Sequence, residues 1–203
     1  MGVLKVIRVK TYDEKKIKTV VRQVLEDMNI LNSENGGGKK IIIIGAVAAG
    51  MSAASKIKRL DKSAEVMVYE ADEHVSYGAC GLPYYISGDN DDIEKLYARP
   101  QEFFTKAGIK LYTKHAVTEV FPLDKKITVH DLINNNNKTD HYDKLLIAAG
   151  ARALKPDVIG ADKPGVYTIK TVPDAVKIRE EASRPNVRSA VIIGGGYIGV
   201  EAC

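Results

Sequence analysis

Tryptophan is missing from this sequence, and cysteine occurs only twice, at Cys80 and Cys203. Two cysteines cannot form a disulfide framework of the kind that holds small secreted domains together. No apolar run is long enough to span a bilayer. The N-terminus "MGVLKVIRVK" lacks the apolar core of a signal peptide, and its Gly2 is not followed by a hydroxyl residue at Val6, as myristoylation requires. The formal net charge is only +4 and the positive residues are spread out, so no electrostatic footprint for nucleic acid is present. The four histidines, His74, His115, His130 and His141, show no metal-ligand spacing. The expectation is a soluble cytoplasmic protein with no metal, nucleic-acid or membrane partner.

What is present is ordinary for a globular chain. The 203 residues are 45% hydrophobic, enough to bury a core in one large domain or two small ones. Residues 3–9 read as a strand and 12–31 as an amphipathic helix, with Ile17, Val20, Val21, Val24, Leu25 and Met28 on one face. Gly36, Gly37 and Gly38 then mark a linker, so residues 1–38 read as an appendage too small for its own core.

The pattern changes after the linker. "KKIIIIGAVAAGMSAASKIKRLDKSAEVMVYEAD" reads as strand, tight turn, crossover helix over 52–60, and second strand. The unbroken apolar run 41–44 suits a strand covered on both faces of a parallel sheet. "KITVHDLI" and "HYDKLLIAAG" read as strands joined by a polar hairpin tip at 134–137. "TVPDAVKIREEA" reads as a helix with Pro173 near its start. "SAVIIGGGYIGVEAC" reads as another buried strand, a glycine turn and the start of a helix. The expected fold is α/β: a Rossmann-like parallel sheet with a β-hairpin insertion over 39–152, and the start of a second Rossmann-like domain over 153–203.

Two glycine turns carry the functional reading. A dinucleotide fold sets a strand, a glycine turn and a helix N-terminus against the pyrophosphate. In "GAVAAG", Gly45, Ala46, Val47, Ala48, Ala49 and Gly50, the outer glycines of that fingerprint are present and the middle one is Val47. Glu70 stands twenty residues after Gly50, at the end of the next strand, where an acid meets the ribose hydroxyls. "GGGYIG" satisfies the full pattern through Gly194, Gly196 and Gly199, with Tyr197 and Ile198 between them. Two such turns imply two nucleotides, and the usual pair is a nicotinamide and a flavin. The acid that would separate NAD from NADP falls beyond Cys203.

Cys80 lies in "SYGACGLPYY", between Gly78 and Gly81. Pro83 suits the opening of a helix, which places Cys80 just before a helix N-terminus, a setting that favours thiolate. The two glycines let backbone approach a flat ring. The bland alternative is a small buried packing residue.

Taken together, "IIIIGAVAAGMSAASKIKRLDKSAEVMVYE", "SYGACGLPYYISG", "YDKLLIAAGA" and "VIIGGGYIGVE" resemble the FAD-dependent pyridine nucleotide–disulfide oxidoreductases. The nearest branch has a single cysteine: coenzyme A-disulfide reductase with its NADH oxidase and peroxidase relatives. The resemblance covers residues 39–203. It implies FAD and NAD(P)H as cofactors, with electrons passing to Cys80. Two-cysteine members carry a redox partner five residues downstream, where this chain has Tyr85. Oxidised Cys80 is then a mixed disulfide with a small thiol, which implies disulfide reduction, or a sulfenic acid, which implies peroxide or oxygen chemistry.

The resemblance also assigns substrate contacts to Ser52, Lys56, Arg59 and Ser76, and FAD adenosine contacts to the backbone near Val117 and to Ala148, Ala149 and Gly150. It implies a homodimer for the full-length parent, since members of the family are more than twice as long. Ala79 stands where members of this branch often have Asn, which leaves polysulfide or oxygen beside coenzyme A disulfide as acceptor. A non-catalytic nucleotide-binding module is the reading from another class.

Overall fold

Strand β1 (Lys40–Ile44) is covered from both sides, as its unbroken isoleucines require. The computed structural model describes residues 38–203, so the strand, helix and linker expected over 1–37 lie outside the described residues. Helix α1 (Ala48–Leu60) follows β1 and leads to β2 (Glu65–Tyr69). The chain then forms α2 (Leu82–Ser87), α3 (Gln101–Lys106), β3 (Ile109–Tyr112), β4 (His115–Phe121), β5 (Lys126–Asp131), β6 (Asn136–His141), β7 (Lys144–Ile147), α4 (Val172–Ala182) and α5 (Tyr197–Glu201). Among the described residues, no helix is long and apolar enough to cross a membrane.

The chain divides into two compact units. The first holds residues 38–76 together with Arg99–Ala149. Its centre is a four-stranded parallel sheet in the order β3-β2-β1-β7, which sets Ile42 between Met67 and Leu145. On one face, Met51, Ala53, Ala54 and Ile57 of α1 pack with Ile41, Ile43, Val66, Val68 and Phe104. On the other, Ile42, Met67 and Tyr69 meet Ile127 and Val129. These last two belong to a three-stranded antiparallel sheet, β4-β5-β6. Ile41, Ile42 and Ile43 are fully buried, and each such burial stabilises by about 2 kcal/mol.

A polar knot closes the second face. The Tyr69 hydroxyl donates to Asp140 at 2.6 Å, and Lys40 pairs with the same carboxylate. Burial, then that hydrogen bond, pushes the phenol above its usual range. Tyr69 stacks on Tyr112 with ring centroids 5.0 Å apart, and the Lys138 ammonium sits over both rings.

Several expectations change. The crossover helix begins at Ala48 rather than Ser52, because the small residues of the glycine turn are already its first turn. The hairpin partner of β5 is β6, with Asn136 and Asn137 paired to Asp131 and His130. Asn is tolerated there because β6 faces solvent along much of its length. "HYDKLLIAAG" is therefore divided: His141 ends β6, and β7 returns to the parallel sheet. With β4, which the sequence pattern did not reveal, the insertion has three strands.

The second unit holds Tyr77–Ala98 and Gly150–Cys203. Helix α4 is firmly started. The Thr171 hydroxyl accepts from the Asp174 N–H, and the Asp174 carboxylate accepts in turn from the Thr171 N–H. The apolar run before the second glycine turn forms no strand. Val191 is 88% exposed and Ile193 89%, since no described strand pairs with this segment.

Candidate functional site

The first glycine turn is built by close backbone approach. Gly45 has φ +100°, and a Cβ there would lie 2.4 Å from the Ala148 carbonyl oxygen. A Cβ on Gly50 would lie 1.8 Å from the Gly45 carbonyl oxygen. Both outer glycines are thus required by packing. Val47, at the missing middle glycine, has φ −93°, so no left-handed backbone calls for glycine there.

The turn opens directly into α1. That helix has no side-chain N-cap and no acid in its first turn, and Ala48 and Ala49 are exposed. Uncapped N–H groups at a dipole's positive end suit an anion, so these residues fit a pyrophosphate.

Glu70 follows β2 and is brought to the same turn. One carboxylate oxygen accepts from the Ala46 N–H at 2.7 Å, the other from the Asp72 N–H at 3.0 Å. Its own backbone pairs with Tyr112 and His115, fixing it at the carboxyl ends of the parallel strands. Ala148 joins from β7, with its N–H donating to Ile44 O at 2.7 Å. Gly150 begins the second unit with φ +68°. Val117 stands on edge strand β4, where its side chain packs against the Ile127 and Val129 cluster.

The four residues assigned to substrate do not share one environment. Ser52 and Arg59 are exposed and Lys56 half-buried, at i, i+4 and i+7 on the side of α1 away from the core. Ser76 is buried, in the left-handed region at φ 54°, and its N–H donates to Ala46 O at 2.8 Å. It belongs with the glycine turn.

Cys80 is exposed and lies in a 3₁₀ turn, Ala79–Gly81, that runs straight into α2. Pro83 is in the first turn of that helix, as expected. The Gly78 N–H donates to Leu96 O at 2.8 Å. A Cβ on Gly81 would meet the Leu96 side chain at 2.3 Å. That contact is with the movable end of a leucine side chain, and Gly81 has φ −84°, so a small side chain here is met by a shift of Leu96. Neither Cys80 nor Cys203 is in a disulfide.

In the second glycine turn, Gly194 has φ +120°, and a Cβ on Gly199 would lie 2.3 Å from the Gly194 carbonyl oxygen. This repeats the Gly45–Gly50 approach. Gly196 is the N-cap of α5, which has no acid in its first turn. Tyr197 is 89% exposed and Ile198 is also exposed.

A cluster not anticipated from the histidine spacing is Asp72, Glu73 and His74, whose ligand-type atoms lie within 4.8 Å of one another. Its charges have partners already: Glu73 pairs with Lys114 at 3.0 Å, and Asp72 accepts from the Glu73 and His74 N–H groups.

The family model for pyridine nucleotide-disulphide oxidoreductases matches residues 39–203. The chain belongs to this family. The NAD(P)H coenzyme A polysulfide/persulfide reductase of Pyrococcus horikoshii is 42% identical over 164 residues, covering 80% of this chain and 36% of that protein. The coenzyme A disulfide reductase of Staphylococcus haemolyticus is 34% identical over 164 residues, covering 80% and 37%. Among solved structures, reduced CoADR-RHD of Bacillus anthracis superposes with a TM-score of 0.79 at 31% identity, over 83% of this chain and 31% of that one. The water-forming NADH oxidase of Lactobacillus brevis, bound to NADH, gives 0.77 at 32% identity, over 81% and 36%. The chain thus spans little more than a third of the curated relatives, at 36–37% of their length.

Proposed function

We propose that this chain is the FAD-binding and cysteine-bearing part of an NAD(P)H-dependent flavoprotein that reduces a small-molecule disulfide, coenzyme A disulfide or a per/polysulfide, at Cys80. The observation that carries the reading is Cys80 itself: an exposed sulfur in a glycine-flanked turn, with Tyr85 where a second sulfur would stand. The 42% identity to a coenzyme A polysulfide/persulfide reductase supports it.

In this reading residues 39–152 form the FAD domain and 153–203 open the NAD(P)H domain. Gly45, Ala46, Val47, Ala48, Ala49 and Gly50 receive the FAD pyrophosphate, and Glu70 accepts from its ribose. Val117 and Ala148–Gly150 border the adenosine. Gly194, Gly196, Tyr197, Ile198 and Gly199 begin the nicotinamide site. Lys56 and Arg59 supply positive charge for the phosphates of a coenzyme A substrate, with Ser52 beside them. Ser76 supports the glycine turn through Ala46. The parent is a cytoplasmic homodimer.

The sulfur step is thiol–disulfide exchange. Cys80 thiolate attacks one sulfur of the substrate, the substrate's S–S bond breaks, and one thiolate leaves. A mixed disulfide remains on Cys80. Two electrons and one proton then release the second thiol and restore the Cys80 thiolate. FAD, when bound, supplies that two-electron reduction at the expense of NAD(P)H. With no nearby second cysteine in the sequence, the small thiol must stay on the protein between the two halves.

The test is acceptor-dependent NAD(P)H oxidation by the FAD-loaded enzyme carrying Cys80→Ser. Disulfide and polysulfide reduction should vanish while flavin stays bound. Disulfide turnover close to wild type would sink the mechanism. The likeness to a water-forming NADH oxidase supports a second reading, in which Cys80 cycles through a sulfenic acid. Turnover with oxygen or peroxide exceeding that with any disulfide would select it.

A further inference from the structure

We propose that Arg179 is a positioning residue for Cys80, acting through α2; this rests on the reading of Cys80 given above. Helix α2 has only six residues and no side-chain N-cap. A helix that short does not hold itself together in water. Its far end is held by another element. Arg179, half-buried on α4, donates from one guanidinium nitrogen to Tyr85 O at 3.0 Å and to Asn90 O at 2.8 Å. The same guanidinium lies 4.4 Å from the centroid of the Tyr85 ring.

Each contact suits the task. The carbonyls at a helix C-terminus lack intrahelical partners, and a cation there matches the helix dipole. The planar guanidinium binds the carbonyls at its edge and the ring at its face. Arg179 is itself on a firm base, since α4 carries the Thr171–Asp174 capping box. From α2 the constraint passes directly to Cys80, because the 3₁₀ turn Ala79–Gly81 runs into Leu82 without a break. That turn is held at its start by the Gly78 N–H, which donates to Leu96 O at 2.8 Å. A second tie comes from α5, where Glu201 accepts from the Tyr84 hydroxyl at 3.1 Å.

Tyr85 thus has a role of its own. Its ring gives Arg179 a platform, and its carbonyl gives Arg179 an acceptor. A sulfur attacking in line and then receiving electrons needs a fixed position, and small misplacements cost rate steeply.

The experiment compares acceptors in the FAD-loaded enzyme. Arg179→Ala should lower kcat for disulfide reduction roughly tenfold. Turnover with ferricyanide, which takes electrons without the cysteine, and KM for NAD(P)H should stay within about twofold of wild type. Arg179→Lys should restore part of the loss, since it keeps charge and a donor but not the planar stack. Amides of α2 should exchange faster in Arg179→Ala. If Arg179→Ala does not fold, Tyr85→Leu, which removes the ring and keeps the carbonyl, must show the same acceptor split at smaller size.

Equal losses with both acceptors overturn the proposal, because they indicate general damage. So does unchanged disulfide turnover in Arg179→Ala when Cys80→Ser has lost it, an outcome that leaves the function of Cys80 standing. Disulfide turnover retained by Cys80→Ser removes the function, and this inference with it.

Discussion

The chain contains the same glycine device twice, and the two copies are in opposite states. In both, the carbonyl oxygen of a glycine with positive φ packs against a second glycine five residues later, where a Cβ would collide: Gly45 with Gly50, and Gly194 with Gly199. The second copy has the complete G-x-G-x-x-G pattern, and the first does not. Yet the first follows a strand held between two parallel neighbours, with Ile41, Ile42 and Ile43 fully buried. The second follows an apolar segment that pairs with no described strand and leaves Val191 and Ile193 in solvent. The turn geometry is local and forms from glycines alone. The strand is not local, because its backbone groups need partners on both edges.

The largest way to break this contrast is to truncate the strands. Ile42→Ala removes a fully buried side chain between two sheets and should cost about 2–5 kcal/mol in denaturant unfolding. Ile193→Ala, at 89% exposure, should stay within about 0.5 kcal/mol. Similar costs at both sites would show that the second segment is paired in solution.

The turns themselves come next. Gly50→Ala drives a Cβ against the Gly45 carbonyl in a turn that the packed core cannot release, and should cost about 1–3 kcal/mol. Flavin per mole of purified protein should fall with it. Gly199→Ala meets a similar obstacle, but its turn has open space around Gly194, Gly195 and Gly196 and can shift. Its unfolding midpoint should not move. A midpoint shift as large as that of Gly50→Ala would end the contrast.

The smallest effect lies away from both turns, at the tip of the β5–β6 hairpin. Hydrogen bonds from the Asn134 side chain, then from the Asn134 and Ile133 backbone N–H groups, hold the Asp131 carboxyl down at about 2. Its folded value lies below the ordinary 3.8, so its contribution is present above about 3.8 and is lost as pH falls towards 2. Asp131→Asn should flatten that part of the stability–pH curve and lower stability at neutral pH, where the contribution is fully present. A curve with the wild-type slope below pH 4 would remove this role.

Much of this protein was fixed by residue order alone. The unbroken isoleucines of β1 need cover on both faces, so a parallel sheet with a crossover helix followed from them. Gly45, Gly50 and Glu70 fell at spacings that only a strand–turn–helix–strand unit brings together, and the Glu70 carboxylate does reach the Ala46 N–H. Pro173 beside the Thr171–Asp174 pair marked the start of α4.

Other features had no local signal. β4 alternates weakly and β6 is a run of asparagines and charges, so their pairing was decided by β5, which buries Ile127 and Val129 against the parallel sheet. The turn that carries Cys80 is tied to Leu96 through the Gly78 N–H, eighteen residues away in sequence. Arg179 reaches Tyr85 across 94 residues. Propensity and period act within a turn or two of chain. Contacts between distant segments arise only when buried area and unpaired backbone groups are satisfied together, and that is settled in three dimensions.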